Sequence, residues 1–328
     1  MKTAVVWVNL GTPDAPVKSA VRTYLKEFLS DTRVVEIPKA IWWLILNGII
    51  LPFRAQKSAE KYASIWTHAG SPLKVETMRQ AEILGRCLEE GSKEIKVVYA
   101  MRYGSPSVPK VLSELKKEGV ERILIFPAYP QYSGTTTASV MDAVTMYYQK
   151  ERVIPELRFI RDYHDDEGYI HALAQSVLTH WEAKGRSDIL MMSFHGVPER
   201  TIKLGDVYEA HCRRTAELLA RKLGLSENQY RLTFQSRFGR AKWLSPATTD
   251  VLLSLAKEGV KRVDVICPGF AVDCLETLEE IAMEGRHDFI EAGGLQFEYI
   301  PALNSQAAWI EAMTKIVLQH TAGWPIDL

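Results

Sequence analysis

Asp188-Ile-Leu-Met-Met-Ser-Phe-His-Gly-Val-Pro198 lies past the middle of the 328-residue chain and opens on a short apolar run. Runs of this kind lack the polar alternation of a half-solvated strand and form parallel strands covered on both faces. Gly196 and Pro198 then break the strand and leave His195 at its carboxyl end. In open α/β sheets ligands bind outside that edge. A neutral imidazole placed there can take a proton or touch a metal near pH 7. The plain alternative is a histidine that only hydrogen-bonds a loop carbonyl, and this stretch alone leaves both open.

Outward from this strand, apolar runs at 3–9, 95–101, 122–126, 157–160, 231–235 and 263–267 alternate with segments of helical spacing. Such alternation argues for parallel sheets with helices on both faces. The order also repeats. Lys117-Glu-Gly-Val-Glu-Arg122 returns as Lys257-Glu-Gly-Val-Lys-Arg262, each followed by a β-rich run that ends in proline, Pro127 or Pro268. Arg102-Tyr-Gly104 parallels Arg237-Phe-Gly239, and Asn9-Leu-Gly-Thr-Pro13 parallels Phe194-His-Gly-Val-Pro198, which pairs Leu10 with His195. The expected fold class is therefore α/β: two similar Rossmann-like lobes, each a parallel sheet flanked by helices, with the active cleft between them. The expected divisions are an N-terminal lobe over 1–155, a C-terminal lobe over 156–305 and a closing helix over 306–328.

Charge is balanced, 40 basic residues against 40 acidic, so there is no basic excess of the kind that nucleic-acid binding needs. Cys87, Cys212, Cys267 and Cys274 are far apart with no CxxC pair, which suits a reducing cytosol. The apolar first ten residues are too short for a signal peptide and read as the first strand. Between 37 and 54 the run Ala40-Ile-Trp-Trp-Leu-Ile-Leu-Asn-Gly-Ile-Ile-Leu-Pro-Phe53 is almost wholly apolar. It is too short for a bilayer, which takes about 20 residues. Either it is a buried helix ending near Gly48, or it is an exposed lip that meets a membrane surface or an apolar ligand. GxGxxG, P-loop, GxSxG and HExxH signatures are absent, so dinucleotide, phosphoryl-transfer, serine-hydrolase and zincin chemistry lack their usual marks.

A second informative stretch follows the last of these strands. At about 100° per residue, Asp273, Glu276, Glu280 and Glu284 share a stripe roughly 80° wide on a helix expected from Asp273 onward. Asp273 with Glu276 also fits a capping box, and acids favour a helix start. Glu280 and Glu284 lie beyond the first turn, where the macrodipole gives them no support. Stacked carboxylates raise one another's pKa, which suits groups that pass protons or a hard cation along.

Asn9-Leu-Gly-Thr-Pro13, Tyr129-Pro-Gln-Tyr-Ser133, Ser193-Phe-His-Gly-Val-Pro198, Trp243-Leu-Ser-Pro246 and Pro268-Gly-Phe-Ala-Val-Asp-Cys-Leu-Glu-Thr-Leu278 together resemble the ferrochelatases. The resemblance runs in family order over nearly the whole chain. It implies insertion of ferrous iron into protoporphyrin IX within a two-lobed fold, at the last step of haem synthesis. By position it makes His195 and Glu276 the catalytic pair, with Asp273 and Glu280 as further acids on the metal side. It makes Arg102, Tyr103, Trp243 and Phe270 lining residues of the porphyrin site, Leu10 the residue facing His195, and Arg54 and Ser71 propionate contacts. Many relatives carry histidine where this chain has Cys274, so a metal-handling role does not transfer to that position.

The resemblance also implies iron as substrate, no permanently bound cofactor and, since the C-terminus lacks cysteines, no iron–sulfur cluster. A cytoplasmic protein touching the inner membrane face through the apolar lip is the expected setting. The chemistry agrees, because metallation needs a base near neutrality and oxygen or imidazole ligands that release iron readily, where a thiolate set would retain it. Metallation of another tetrapyrrole such as coproporphyrin, a non-catalytic tetrapyrrole carrier, and an enzyme of polar metabolites remain as alternatives. The tryptophan-rich lip argues against the last, and a carrier has no use for an acidic stripe.

Overall fold

A computed structural model describes residues 2–90, 95–237, 239 and 241–324. The chain divides into two compact units. The first takes in the chain up to Tyr129, Ser133–Asp162 and the chain from Met313 onward; the second comprises Pro130–Tyr132 and Tyr163–Ala312.

In the first unit β1 (Lys2–Gly11) is followed by α1 (Lys18–Leu29), α2 (Lys39–Ile45), α3 (Leu51–Ile65) and α4 (Pro72–Glu90). Then come β2 (Ile95–Tyr103), α5 (Val108–Lys117), β3 (Val120–Pro127), α6 (Thr137–Tyr148) and β4 (Glu156–Phe159). The strands are parallel in the order β2-β1-β3-β4. β1 is buried on both faces, which is why its sequence is continuously apolar. Ala4, Val6 and Val8 pack with Val111, Leu112 and Leu115 of α5 and Val140 and Val144 of α6. On the other face Trp7 donates its indole N–H to Gln80 on α4 (3.0 Å), which satisfies a buried polar atom that the apolar run would otherwise strand.

The second unit holds α7 (Glu167–Lys184), β5 (Ile189–His195), α8 (Glu199–Lys203), α9 (Tyr208–Lys222), β6 (Tyr230–Gln235), α10 (Thr248–Lys257) and β7 (Arg262–Ile266). A π-helical segment (Glu276–Gly285), α11 (Arg286–Glu291), β8 (Gln296–Ile300) and α12 (Ala307–His320) complete it, and α12 passes into the first unit at Met313. Its four strands are again parallel, in the order β6-β5-β7-β8. Met191, Val263 and Val265 pack with Leu252 and Leu255 of α10 and with Ile281 and Phe289. Two parallel sheets flanked by helices are thus present, as the alternating pattern predicts. Both Lys-Glu-Gly-Val repeats end a helix on a glycine with positive φ, +74° at Gly119 and +90° at Gly259, a backbone region that side chains disfavour.

Several boundaries differ from the sequence reading. β8 has no counterpart there, because Gln296-Phe-Glu-Tyr-Ile is an edge strand only partly buried and carries no long apolar run. The lip helix does not stop near Gly48. It runs from Lys39 through a π-helical turn (Leu46–Ile50) into α3, since glycine and a proline within the first turn of the following segment are both tolerated there. The match of Arg102-Tyr-Gly104 to Arg237-Phe-Gly239 is two residues out of register. Met101 N–H donates to the Pro106 carbonyl (2.7 Å), and Phe234 N–H donates to the Pro246 carbonyl (2.9 Å). These equivalent closures align Arg102 with Gln235, while Leu10 aligns with His195 as the sequence suggested. The second unit has a longer loop at this point, so Arg237 and Gly239 have no counterparts in the first; Phe238 lies outside the described residues.

Candidate active site

His195 is the last residue of β5 and is half-buried. Its Nδ1 lies 2.6 Å from the Gly196 carbonyl oxygen. A carbonyl can only accept, so Nδ1 carries a proton, and in the neutral ring Nε2 is then the nitrogen with the lone pair. The plain alternative from the sequence, a bond to a loop carbonyl, is therefore present. Gly196 is needed for close approach. A Cβ there would come within 2.6 Å of the Gln235 carbonyl oxygen and 3.3 Å of the Trp243 ring. The Gly196 N–H donates to that same Gln235 carbonyl (2.8 Å).

The loop after β6 folds back on this turn. Glu199 N–H donates to the Lys242 carbonyl (2.8 Å) and Leu244 N–H to the Val197 carbonyl (3.0 Å), which lays Trp243 beside Gly196. The Phe270 ring lies 6.4 Å from the His195 ring. His195, Trp243 and Phe270 therefore meet at the carboxyl ends of β5, β6 and β7.

The acids do not form the straight stripe expected of an α-helix from Asp273. Asp273 precedes the helix, and Glu276–Gly285 is π-helical, so 3.6-residue arithmetic does not apply. The capping-box alternative for Glu276 is not formed, because the Asp273 N–H that Glu276 would accept from donates instead to Asn304 Oδ1 (2.9 Å). Glu276 is half-buried in its first turn. Glu280 accepts from the Ser236 N–H (2.6 Å) and hydroxyl (2.5 Å), which ties it to the start of the Trp243 loop, where Ser236 has φ +63°. Asp273 is buried, with its oxygens held by Tyr299, Thr277, Ala302 and Asn304. Glu284 is exposed. Cys274 is a buried free thiol. Burial pushes its pKa well up and the neighbouring Glu276 carboxylate pushes the same way, so the thiolate that a metal would need is disfavoured.

Gln235 joins these parts, and sequence reasoning passed over it as the end of a strand. It pairs with His195 across the sheet and is buried. Its Oε1 accepts from the Ser193 hydroxyl (2.7 Å), and its Nε2 donates to the Glu276 carbonyl (2.7 Å). The second bond fixes the amide orientation, because that carbonyl cannot donate. A polar residue in a strand otherwise committed to the core was the available signal.

The residues assigned to the first unit fare differently. Leu10 is half-buried at the end of β1, and Arg54 is exposed on α3. Ser71 is buried and accepts from the Thr12 hydroxyl (2.9 Å). Tyr103 is fully buried, so its ring presents no surface for a porphyrin in this conformation. Its hydroxyl donates to Asp31 (2.8 Å), as does Arg102 (2.5 Å), while the Arg102 Nε–H bonds Ser139. Burial raises the Asp31 pKa, but the Ser139 hydroxyl, the Arg33 N–H, Tyr103 and Arg102 outweigh it and hold the carboxyl below its usual range. Arg102 and Tyr103 thus meet in an ionic cluster on Asp31, with Tyr103 buried and Arg102 half-buried.

Comparison with known proteins follows this geometry. The family model described as Ferrochelatase matches residues 2–321. The ferrochelatase of Janthinobacterium sp. (strain Marseille) is 64% identical over 324 residues, 99% of this chain and 88% of that one. That of Herminiimonas arsenicoxydans is 63% identical over 327 residues, 100% and 89% of the two chains. Among solved structures, SirB from Bacillus subtilis with Fe3+ gives a TM-score of 0.59 at 11% identity, covering 98% of this chain and 96% of that one. CbiX, the terminal enzyme for biosynthesis of sirohaem in denitrifying bacteria, gives 0.51 at 12% identity, with coverage of 96% and 99%. At such identities these two speak for the fold alone. The sequence match extends through both sheets and through every segment that builds the His195 edge, and on that basis this chain belongs to the ferrochelatase family.

Proposed function

We infer that this chain inserts ferrous iron into protoporphyrin IX to give protohaem, with His195 and Glu276 as its chemical centre. The reaction exchanges two pyrrole N–H protons for one Fe2+, so it needs a proton acceptor and a group that tolerates iron shedding its waters. The observation that carries the assignment is the placement of His195 at the carboxyl end of β5 with Nδ1 on the Gly196 carbonyl oxygen, which in the neutral ring makes Nε2 the proton acceptor. The Glu276 carboxylate, on a helix tied to β6 through Gln235, is the hard oxygen ligand of the reading. Ferrous iron enters as substrate, and the reading includes no resident cofactor. Purified protein incubated anaerobically with ferrous iron should convert protoporphyrin IX to protohaem and release two protons per turnover. Faster metallation of coproporphyrin would move the assignment to that substrate. Tight porphyrin binding without metallation would mark a carrier.

The apolar lip supports peripheral membrane contact. Ile41, Trp43, Leu44, Ile49 and Phe53 are each more than half exposed, Phe53 at 73%. Among the described residues no helix is long and apolar enough to cross a bilayer. Trp42 is different, because its indole N–H donates to the Leu29 carbonyl (2.6 Å) and anchors the segment to α1. Trp43→Ser with Phe53→Ser should reduce sedimentation with anionic liposomes several-fold and leave the melting temperature close to wild type. Trp42→Ser should instead cost about 1 kcal/mol or more of stability, through the lost hydrogen bond and packing. Undiminished liposome binding by the double variant would count against membrane contact.

A further inference from the structure

We propose that Asp273 and Asn304 form a reciprocal pair that positions the turn carrying Glu276, and that Asp273 acts through this pair, not on the metal. The inference rests on the reading of Glu276 given above. Asp273 Oδ2 accepts from Asn304 Nδ2 (2.7 Å), and Asn304 Oδ1 accepts from the Asp273 backbone N–H (2.9 Å). Asp273 Oδ1 accepts from the Tyr299 hydroxyl (2.6 Å), the Thr277 hydroxyl (3.0 Å) and the Ala302 N–H (3.3 Å). Three of these four donors converge on Oδ1 and one reaches Oδ2, in a residue only 8% exposed. A metal ligand must keep a lone pair aimed at the ion, and this carboxylate spends most of its accepting capacity inside the protein.

The pair spans two segments that the chain order leaves apart. Asn304 sits in the connection from β8 to α12, with φ +45°, a conformation asparagine and aspartate tolerate better than most residues. Its N–H donates to the Ala271 carbonyl (3.1 Å), so it holds the turn at both ends of Ala271-Val-Asp273. Thr277, bonded to Asp273, also accepts from the Cys274 N–H (3.0 Å). The network therefore fixes the residues on either side of Glu276, and the orientation of Glu276 follows from it.

A swap of the two side chains separates positioning from metal ligation. In Asp273→Asn the new amide must aim its NH2 either at Asn304 Nδ2 or at the Ala302 N–H, so two donors oppose each other. In Asn304→Asp two carboxylates meet. Each single variant should lower kcat for iron insertion about 10- to 100-fold, the usual effect of a lost supporting hydrogen bond at a reactive centre. The KM for iron and for porphyrin should stay near wild type. The double variant D273N/N304D satisfies every donor again, with the charge moved to the other partner, and should recover most of the lost kcat. Asn304→Ala adds no charge and should reproduce the kcat loss in a folded protein.

A swap that stays as slow as Asp273→Asn, or does not fold, would overturn the proposal. So would an iron KM that rises in step with the loss in Asp273→Asn, or wild-type kcat in Asn304→Ala. Wild-type turnover by Glu276→Gln would defeat the reading of Glu276 without bearing on whether the swap restores the pair.

Discussion

His195→Ala should bind porphyrin about as well as the wild type and metallate it about 10²–10⁴ times more slowly, the range for loss of a positioned base. Binding is expected to survive because the contacts that grip a macrocycle are broad and apolar, and His195 contributes one half-buried ring at a strand end. Stability should change by only about 1 kcal/mol, because the residue's one local bond runs to the carbonyl of its neighbour. The loss should appear in kcat at saturating iron and porphyrin. Added imidazole should restore part of it, since the missing part is a lone pair at a defined place. Fluorescence quenching of bound porphyrin checks the first claim and anaerobic haem formation the second. A folded alanine variant with undiminished kcat would remove His195 from the chemistry.

Much of this arrangement is legible in the chain itself, for reasons that particular residues make plain. β1 and β5 are buried on both faces, so their apolar runs cannot be mistaken for surface segments, and the repeat around Gly119 and Gly259 doubles the signal. His195 stands out because glycine and proline end its strand, which assigns it to the ligand-binding edge before any contact is known. The acids were harder to read. Their spacing assumes an α-helix, whereas Glu276–Gly285 is π-helical, and no local pattern distinguishes the two, since what changes is each carbonyl's partner one residue further on. By type and spacing Asp273 fits a ligand set. Its hydrogen-bond partners Tyr299 and Asn304 lie roughly thirty residues on and reach it because β8 pairs with β7, which no local pattern shows. Tyr103 shows the same limit: a motif can bring a residue near a site without showing whether a neighbour has already taken its polar atom.

Glu276→Gln should fold normally and lose about 10²-fold or more in kcat, with porphyrin affinity retained. Glutamine keeps the size of the side chain and its hydrogen-bonding reach but removes the charge. If Glu276 served as a helix cap, this replacement would be nearly silent, because glutamine satisfies a capping box as well. At the helix start the carboxylate's partner is the Cys274 thiol, a donor that a glutamine oxygen can also accept from, so the substitution leaves that contact in place. The Glu276 backbone carbonyl is held by Gln235, and that bond is indifferent to the substitution. What the variant loses is a negative oxygen able to meet a hydrated divalent cation or to pass on a proton. The effect should therefore depend on the metal, appear at saturating porphyrin, and leave the thermal transition in place. Cys274 offers no substitute, because burial and the carboxylate itself keep its thiol protonated in the wild type. Removing the carboxylate lifts only the second of those two causes. Wild-type turnover in a folded Glu276→Gln protein would end its assignment to the reaction and leave His195 and Glu280 as the candidates at this edge.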